Sequence, residues 1–252
     1  MYSWTQKWLL MFNEKKCKVL HVGSNNPKYE YFIGESNNKT KLEITELEKD
    51  LGVNIDPHLN FKKHIKITVQ KATGICYSIL RNFTFRTQEV LVPLFKTLVR
   101  PILEYGNPVW NNCINKYLDA IEQVQRKFTK FIHCLKNLPY EERLHFLNLH
   151  SLEYRRLRGD MIQVYKIAHN YYDKVSVNDL IVFKNDCRLR GHNFTIIKKT
   201  TNKQLFTNYF SNRVVNNWNK LPAEIVNADS VNNFKNLFDK YNKDIKYKTN
   251  IF

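Results

Sequence analysis

Leu51-Gly52-Val53-Asn54-Ile55-Asp56-Pro57-His58-Leu59-Asn60-Phe61-Lys62-Lys63-His64-Ile65 is the stretch in which the periodicity of this chain changes. Leu51 to Ile55 is β-branched and closed by Asp56-Pro57, the pattern of a strand running into a turn. From Phe61 the apolar positions step by three and four. Phe61, Ile65, Val69, Ala72, Cys76 and Ile79 form one stripe along a helix. Strand signals precede the switch and helix signals follow it.

Working towards the N-terminus, Lys18 to Gly23 reads as a strand, Asn25-Asn26-Pro27 as a turn, Tyr29 to Ile33 as a second strand and Gly34 to Lys41 as a polar loop. Trp4 to Phe12 reads as a short amphipathic helix with Trp4, Trp8 and Met11 on one face. Towards the C-terminus a second long helix starts at Thr87 and carries Leu91, Leu94, Leu98 and Ile102, with a kink or break at Pro101. A third, Tyr117 to Leu135, turns Ile121, Val124, Phe128, Phe131, Ile132 and Leu135 inward. Ser151 caps a fourth, which buries Leu157, Met161, Val164, Tyr165 and Ala168. In the tail, Leu189 to Lys199 reads as extended, and Leu205 to Trp218 as a helix stopped before Pro222. Ser230 opens a final helix, Val231 to Ile245, with Phe234, Leu237, Phe238 and Tyr241 on one face. The expected fold is α+β: a small antiparallel sheet of three strands (1–57), a helical bundle (58–172) and a mixed C-terminal segment (173–252).

Charge is the strongest global signal. Forty Lys and Arg against 23 Asp and Glu give +17, a balance that attracts polyanions. The 29 Lys and 30 Asn also match what an A+T-rich coding sequence favours, so compositional drift stands as a second source of the excess. No apolar run reaches the roughly 18 residues a bilayer span needs, and no leader precedes the first helix, so an intracellular protein with no membrane partner is expected. Cys17, Cys76, Cys113, Cys134 and Cys187 lack C-x-x-C or Cys/His spacing, which argues against zinc and against a disulfide framework. Cys76 and Cys134 read as small hydrophobes on apolar helix faces. The eight histidines show no His-Glu-x-x-His spacing, no glycine-rich phosphate loop occurs, and neither Ser151 nor Ser211 sits in a nucleophile elbow. No metal and no cofactor is expected.

Several strings, in order along nearly the whole chain, carry a resemblance. They are Trp4 and Trp8 followed by Phe12-Asn13-Glu14-Lys15-Lys16-Cys17-Lys18-Val19-Leu20-His21-Val22-Gly23; Glu48-Lys49-Asp50-Leu51-Gly52-Val53; and Leu98-Val99-Arg100-Pro101-Ile102-Leu103-Glu104-Tyr105-Gly106 with Trp110. Further on come Glu122-Gln123-Val124-Gln125-Arg126-Lys127, Tyr140-Glu141-Glu142-Arg143-Leu144, Arg155-Arg156-Leu157-Arg158-Gly159-Asp160, Phe210-Ser211-Asn212-Arg213 and Trp218-Asn219-Lys220-Leu221-Pro222. Together they resemble the part of jockey-like non-LTR (LINE-type) retrotransposon reverse transcriptases that follows the active-site Asp-Asp hairpin. The resemblance implies an edge of the palm in residues 1–57, a thumb lying against primer–template duplex in 58–172, and a downstream segment of unassigned role. It implies that Lys16 is the motif-D-like lysine near the leaving pyrophosphate, and that Asp50, Leu51, Gly52 and Val53 form the primer-grip-like motif E.

Polymerase chemistry needs two or three carboxylates converging on paired metal ions. No Asp-Asp pair occurs here, and Asp50 and Asp56 read as turn and strand-end residues. The expectation is a truncated RNA-directed DNA polymerase, a transposable-element product without catalytic residues, in which Lys16 is vestigial. Lys62, Lys63, Lys66 and Lys71 on the first long helix, and Arg126, Lys127 and Lys130 on the third, are the candidate phosphate contacts. Between Phe61 and Leu135 twelve basic side chains stand against four acidic ones. The expected partners are an RNA or DNA duplex bound with low specificity and the upstream palm and fingers, and a nuclear location follows. The alternatives are a helical module repurposed for protein–protein contact and a translated relic without function. An exposed apolar groove along the first two long helices would mark the former; a contiguous basic concavity would mark nucleic-acid binding.

Overall fold

Asp56 fixes the point at which strand gives way to helix. Its buried carboxylate accepts from the backbone N–H groups of His58 (3.1 Å), Asn60 (3.3 Å) and Phe61 (2.8 Å), so the loop wraps around one side chain. Leu59 and Phe61 take positive φ values of 51° and 52° within it, and Phe61 is buried at the head of the following helix. The structure, a computed structural model, describes the chain apart from residues 1, 11, 36–37, 112–114, 173–179, 185–191, 201, 203, 250 and 252. It divides into two compact units, residues 1–64 and 65–252. The fold is α+β.

The first unit holds helix α1 (Tyr2–Trp8), a 3-10 turn (Glu14–Lys16) and strands β1 (Lys18–Val19), β2 (Phe32–Glu35), β3 (Asn38–Lys41), β4 (Glu43–Ile44), β5 (Glu48–Asp50) and β6 (Val53–Ile55). The expected single antiparallel sheet of three strands is instead three two-stranded ladders. β2–β3 and β5–β6 are antiparallel hairpins, while β1–β4 is parallel. The stretch read as a polar loop, 34–41, forms most of the β2–β3 hairpin. Asn38-Lys39-Thr40-Lys41 shows no apolar alternation because this ladder is held by its backbone pairing, flanked by the exposed Lys41–Glu30 ion pair, rather than by burial. Leu51 to Ile55 is likewise not one strand: Leu51-Gly52 is the two-residue turn between β5 and β6. Both residues have positive φ (43° and 87°), which is the type I′ geometry that matches strand twist.

In the second unit the elements are α2 (Lys62–Asn82, beginning just before it), α3 (Gln88–Leu94), a π-helical turn (Phe95–Val99), α4 (Arg100–Glu104), α5 (Asn107–Trp110), α6 (Asn115–Thr129), α7 (Tyr140–Phe146), α8 (Leu152–Ala168), α9 (Gln204–Thr207), α10 (Phe210–Asn219), α11 (Ala223–Val226) and α12 (Val231–Tyr241). The break expected at Pro101 is the π turn. Proline offers no N–H to the carbonyl of Thr97, and the register widens so that Arg100 N–H donates to Phe95 O. The buried stripe therefore runs Leu91, Phe95, Val99, Leu103 in steps of four, and Leu98, expected inside, is exposed. α6 stops at Thr129, six residues short of the expected end, and turns follow. Ile132 and Leu135 stay buried across those turns, whereas Phe131 and Cys134, expected inside, face solvent.

α8 is the axis of the second unit and packs against α5, α6, α10 and α12. Ser151 caps it, accepting from Tyr154 N–H at 3.1 Å, and its Leu157, Met161, Val164, Tyr165 and Ala168 are buried as the periodicity indicates. Their core includes Phe210, Val214, Trp218, Phe234 and Phe238, so the described tail residues share the core of the bundle. The tail helix breaks at Asn208-Tyr209, between α9 and α10. Asn212 and Asn219, seven residues apart and so on one face of α10, grip the extended segment before it. Asn219 exchanges two bonds with the backbone of Ile196 (both 2.9 Å), and Asn212 exchanges two with Lys199 (both 3.2 Å). Ser230 caps α12 as expected, but that helix ends at Tyr241, which is exposed. Met11, Cys113, Cys187 and the start of the 189–199 stretch lie outside the described residues.

Candidate nucleic-acid interface

Several motif residues quoted from the sequence hold the helices to each other. The buried Glu122 carboxylate on α6 caps α8, accepting from Leu152 N–H (3.1 Å) and Glu153 N–H (2.9 Å) and from Tyr140 Oη (2.5 Å). Burial pushes its carboxyl above the usual range, while the Tyr140 hydroxyl, Arg156 and the two amides pull it back. Arg143, 1% exposed, donates to Arg126 O at 3.0 Å near the end of α6. Asp160 accepts from Arg213 Nε (2.8 Å) and Nη2 (2.9 Å) and from Asn107 and Asn111. Of the three neighbouring arginines, Arg155 pairs with Glu104 and Arg158 with Asp239. Tyr154 Oη donates to the same Asp239 (2.7 Å).

Arg126 is drawn into this framework. Its guanidinium lies over the Tyr140 ring, 4.6 Å from the centroid, and it lines a cleft of about 170 Å³ with Asp119, Glu122, Gln123, Glu153, Arg156 and Thr249. Lys127 and Lys130 go elsewhere. They line a cavity of about 700 Å³ together with Arg86, Lys136, His133, Tyr77 and Phe131. Four basic side chains and two exposed aromatic rings thus meet in one concavity whose lining, among the described residues, contains no carboxylate.

Local chemistry explains how it forms. The turns after α6 are anchored by Ile132 and Leu135, and Cys134 takes φ 68° to let the chain reverse between them. His133 N–H donates to Arg86 O at 2.9 Å, tying these turns to the loop after α2. Arg86 then stacks over Phe131 at 5.6 Å. Tyr77 stands one residue off the buried stripe of α2, which leaves it 58% exposed.

The expected phosphate contacts are therefore divided. Lys127 and Lys130 are brought together; Arg126 faces a mixed acid–base cleft. Lys62, Lys63, Lys66 and Lys71 are exposed on α2, and the cavity lining includes neither Lys66 nor Lys71. Arg86, Lys136, Tyr77 and Phe131 were not marked by the sequence as binding residues. Lys16 ends the 3-10 turn, exposed, its N–H donating to Asn13 O (3.0 Å). Asp50, Leu51, Gly52 and Val53 form the tip of the β5–β6 hairpin, where the Leu51 side chain is 84% exposed. Among the described residues no three His, Cys, Asp or Glu side chains converge as metal ligands, and no helix is long and apolar enough to cross a membrane.

No protein-family profile matches the chain, and no solved structure does. The chain is similar to a Caenorhabditis elegans protein named "Uncharacterized protein B0403.1", at 28% identity over 133 residues, which is 52% of this chain. The match spans 65% of that relative's length.

Proposed function

We propose that this chain binds nucleic acid through its phosphate backbone without reading base sequence, as the non-catalytic end of a LINE-type reverse transcriptase. The observation that carries this is the concavity with Arg86, Lys127, Lys130 and Lys136 around it and no acid among the described residues of its lining. Counterions condensed on a polyanion are released when such a surface neutralises phosphates, which drives binding and makes it salt-dependent. The collinear motifs support the polymerase origin, and the lack of any Asp-Asp pair supports an inert chain in which Lys16 has no nucleotide to act on. A nuclear location fits this reading. A second reading, docking onto a protein such as the upstream palm, draws on the exposed Trp4, Trp8, Leu9 and Leu10.

The test is a salt titration on duplex DNA. Four phosphate contacts give a slope of about −3.6 in log affinity against log salt, a fall of roughly a hundredfold between 50 and 200 mM. Lys127→Gln/Lys130→Gln, with folding checked by thermal melt, should flatten the slope by about two units for every sequence tried. A folded double variant with wild-type affinity and slope refutes the reading and moves protein docking ahead.

A further inference from the structure

We infer that the cavity between α2 and the turns after α6 holds an unpaired nucleobase, so that this protein favours single-stranded nucleic acid over blunt duplex. The inference rests on the nucleic-acid reading above and adds what the aromatic residues contribute. Lysines alone would serve for phosphates. Here Tyr77 (58% exposed) and Phe131 (40% exposed) stand in the same lining as the four cations. Bases inside a duplex have both faces stacked on neighbours, so these rings gain nothing from a continuous helix. An unpaired base offers its face to an aromatic ring, and stacking of that kind tolerates any base. The groove is open, and its volume of about 700 Å³ leaves room for a base with its sugar. Arg86 is a further planar partner, already held over Phe131 and tied to Leu80 O by Nη2 at 3.5 Å.

Neither ring belongs to the buried core. Ile132 and Leu135 anchor the turns from below, and Ala72, Cys76 and Ile79 make the buried stripe of α2. Conservative changes at Tyr77 and Phe131 should therefore leave the melting temperature in place.

The experiment uses the full chain and an oligonucleotide of about 12 nucleotides carrying 2-aminopurine, either single-stranded or annealed as a blunt duplex, with affinity read by anisotropy. Stacking should quench the single-stranded probe on binding, and single strand should bind at least about tenfold tighter than duplex. Tyr77→Leu and Phe131→Leu should each weaken single-strand binding about fivefold to a hundredfold, abolish quenching and leave the salt slope intact; Tyr77→Phe should restore both. Lys127→Gln/Lys130→Gln should instead flatten the single-strand slope by about 0.7 per contact. If the leucine variants fold yet bind and quench as wild type does, or if blunt duplex binds as tightly as single strand, the inference falls while the phosphate reading stands. If the lysine variant also changes nothing, both fall.

Discussion

Replacing Asp160 by alanine removes the acceptor at the centre of the second unit. The carboxylate is 3% exposed and takes four hydrogen bonds: two from Arg213 (2.8 and 2.9 Å), one from Asn111 (3.2 Å) and one from Asn107 (3.4 Å). Arg213 keeps two carbonyl partners, Pro108 O and Asn208 O, but loses its counter-charge. Arg156, itself buried, loses a nearby negative group as well. Leaving one charge of a buried pair uncompensated costs about 3–5 kcal/mol. For a unit the size of 65–252 that corresponds to a fall in melting temperature of roughly 6–20 °C. Circular dichroism melts measure it directly. The companion variant Asp160→Leu/Arg213→Met removes both charges and should recover at least half of the loss. The reasoning is refuted if Asp160→Ala stays within about 1 kcal/mol of wild type, or if the two substitutions add instead of offsetting each other.

Three further outcomes are expected. Burial holds His150 down to about 4, helped by Lys246, Arg155 and Arg158 and opposed by Asp239. Because its unfolded value is about 6.5, the stability it protects is present above that pH and is lost as pH falls towards 4. Denaturant titrations should show about 1–2 kcal/mol of this loss missing from His150→Phe. Leu51 has φ 43° at an exposed hairpin tip, so Leu51→Asn, which creates Asn-Gly, should raise stability by a few tenths of a kcal/mol to about 1; an unchanged or lower melting temperature counts against the assigned turn. Purified protein given primer–template, nucleotides and Mg²⁺ should extend no primer, and Lys16→Ala should behave identically; template-dependent extension would overturn the catalytic reading.

What could be read in advance followed the range of the forces involved. Ser151 and Ser230 cap α8 and α12 through hydrogen bonds three residues long, and the stripes of α2 and α8 depend on one helix alone. Such signals are local and survive in a string of letters. The β2–β3 hairpin was opaque because its polar arm pairs without burying anything. Helical periodicity projected past Thr129, where the helix stops, points Phe131 inward although it faces solvent. Arg126 stands four residues before Lys130, yet Tyr140, Glu153 and Thr249, from other parts of the chain, set its environment. Arg86 and Lys136 reach the cavity only through a contact between distant loops, which no spacing encodes.

The bonds that α8 makes with the last part of the chain also set an order of events during synthesis. Arg158 and Tyr154 find Asp239 across 81 and 85 positions, and Glu153 accepts from Ile251 N–H across 98. Ser151 N–H donates to Lys246 O, and Glu141 accepts from Thr249 N–H across 108 positions. When α8 leaves the ribosome, α5 and α6 are already made, but the apolar residues that meet the tail have no cover until α10 and α12 have been translated. At roughly 5–20 residues per second that interval lasts several seconds. The first unit, whose described ladders pair residues no further apart in sequence than Lys18 and Glu43, can close long before. A nascent chain stalled near residue 200 should therefore recruit holdase chaperones to α8, and release past Ile251 should discharge them.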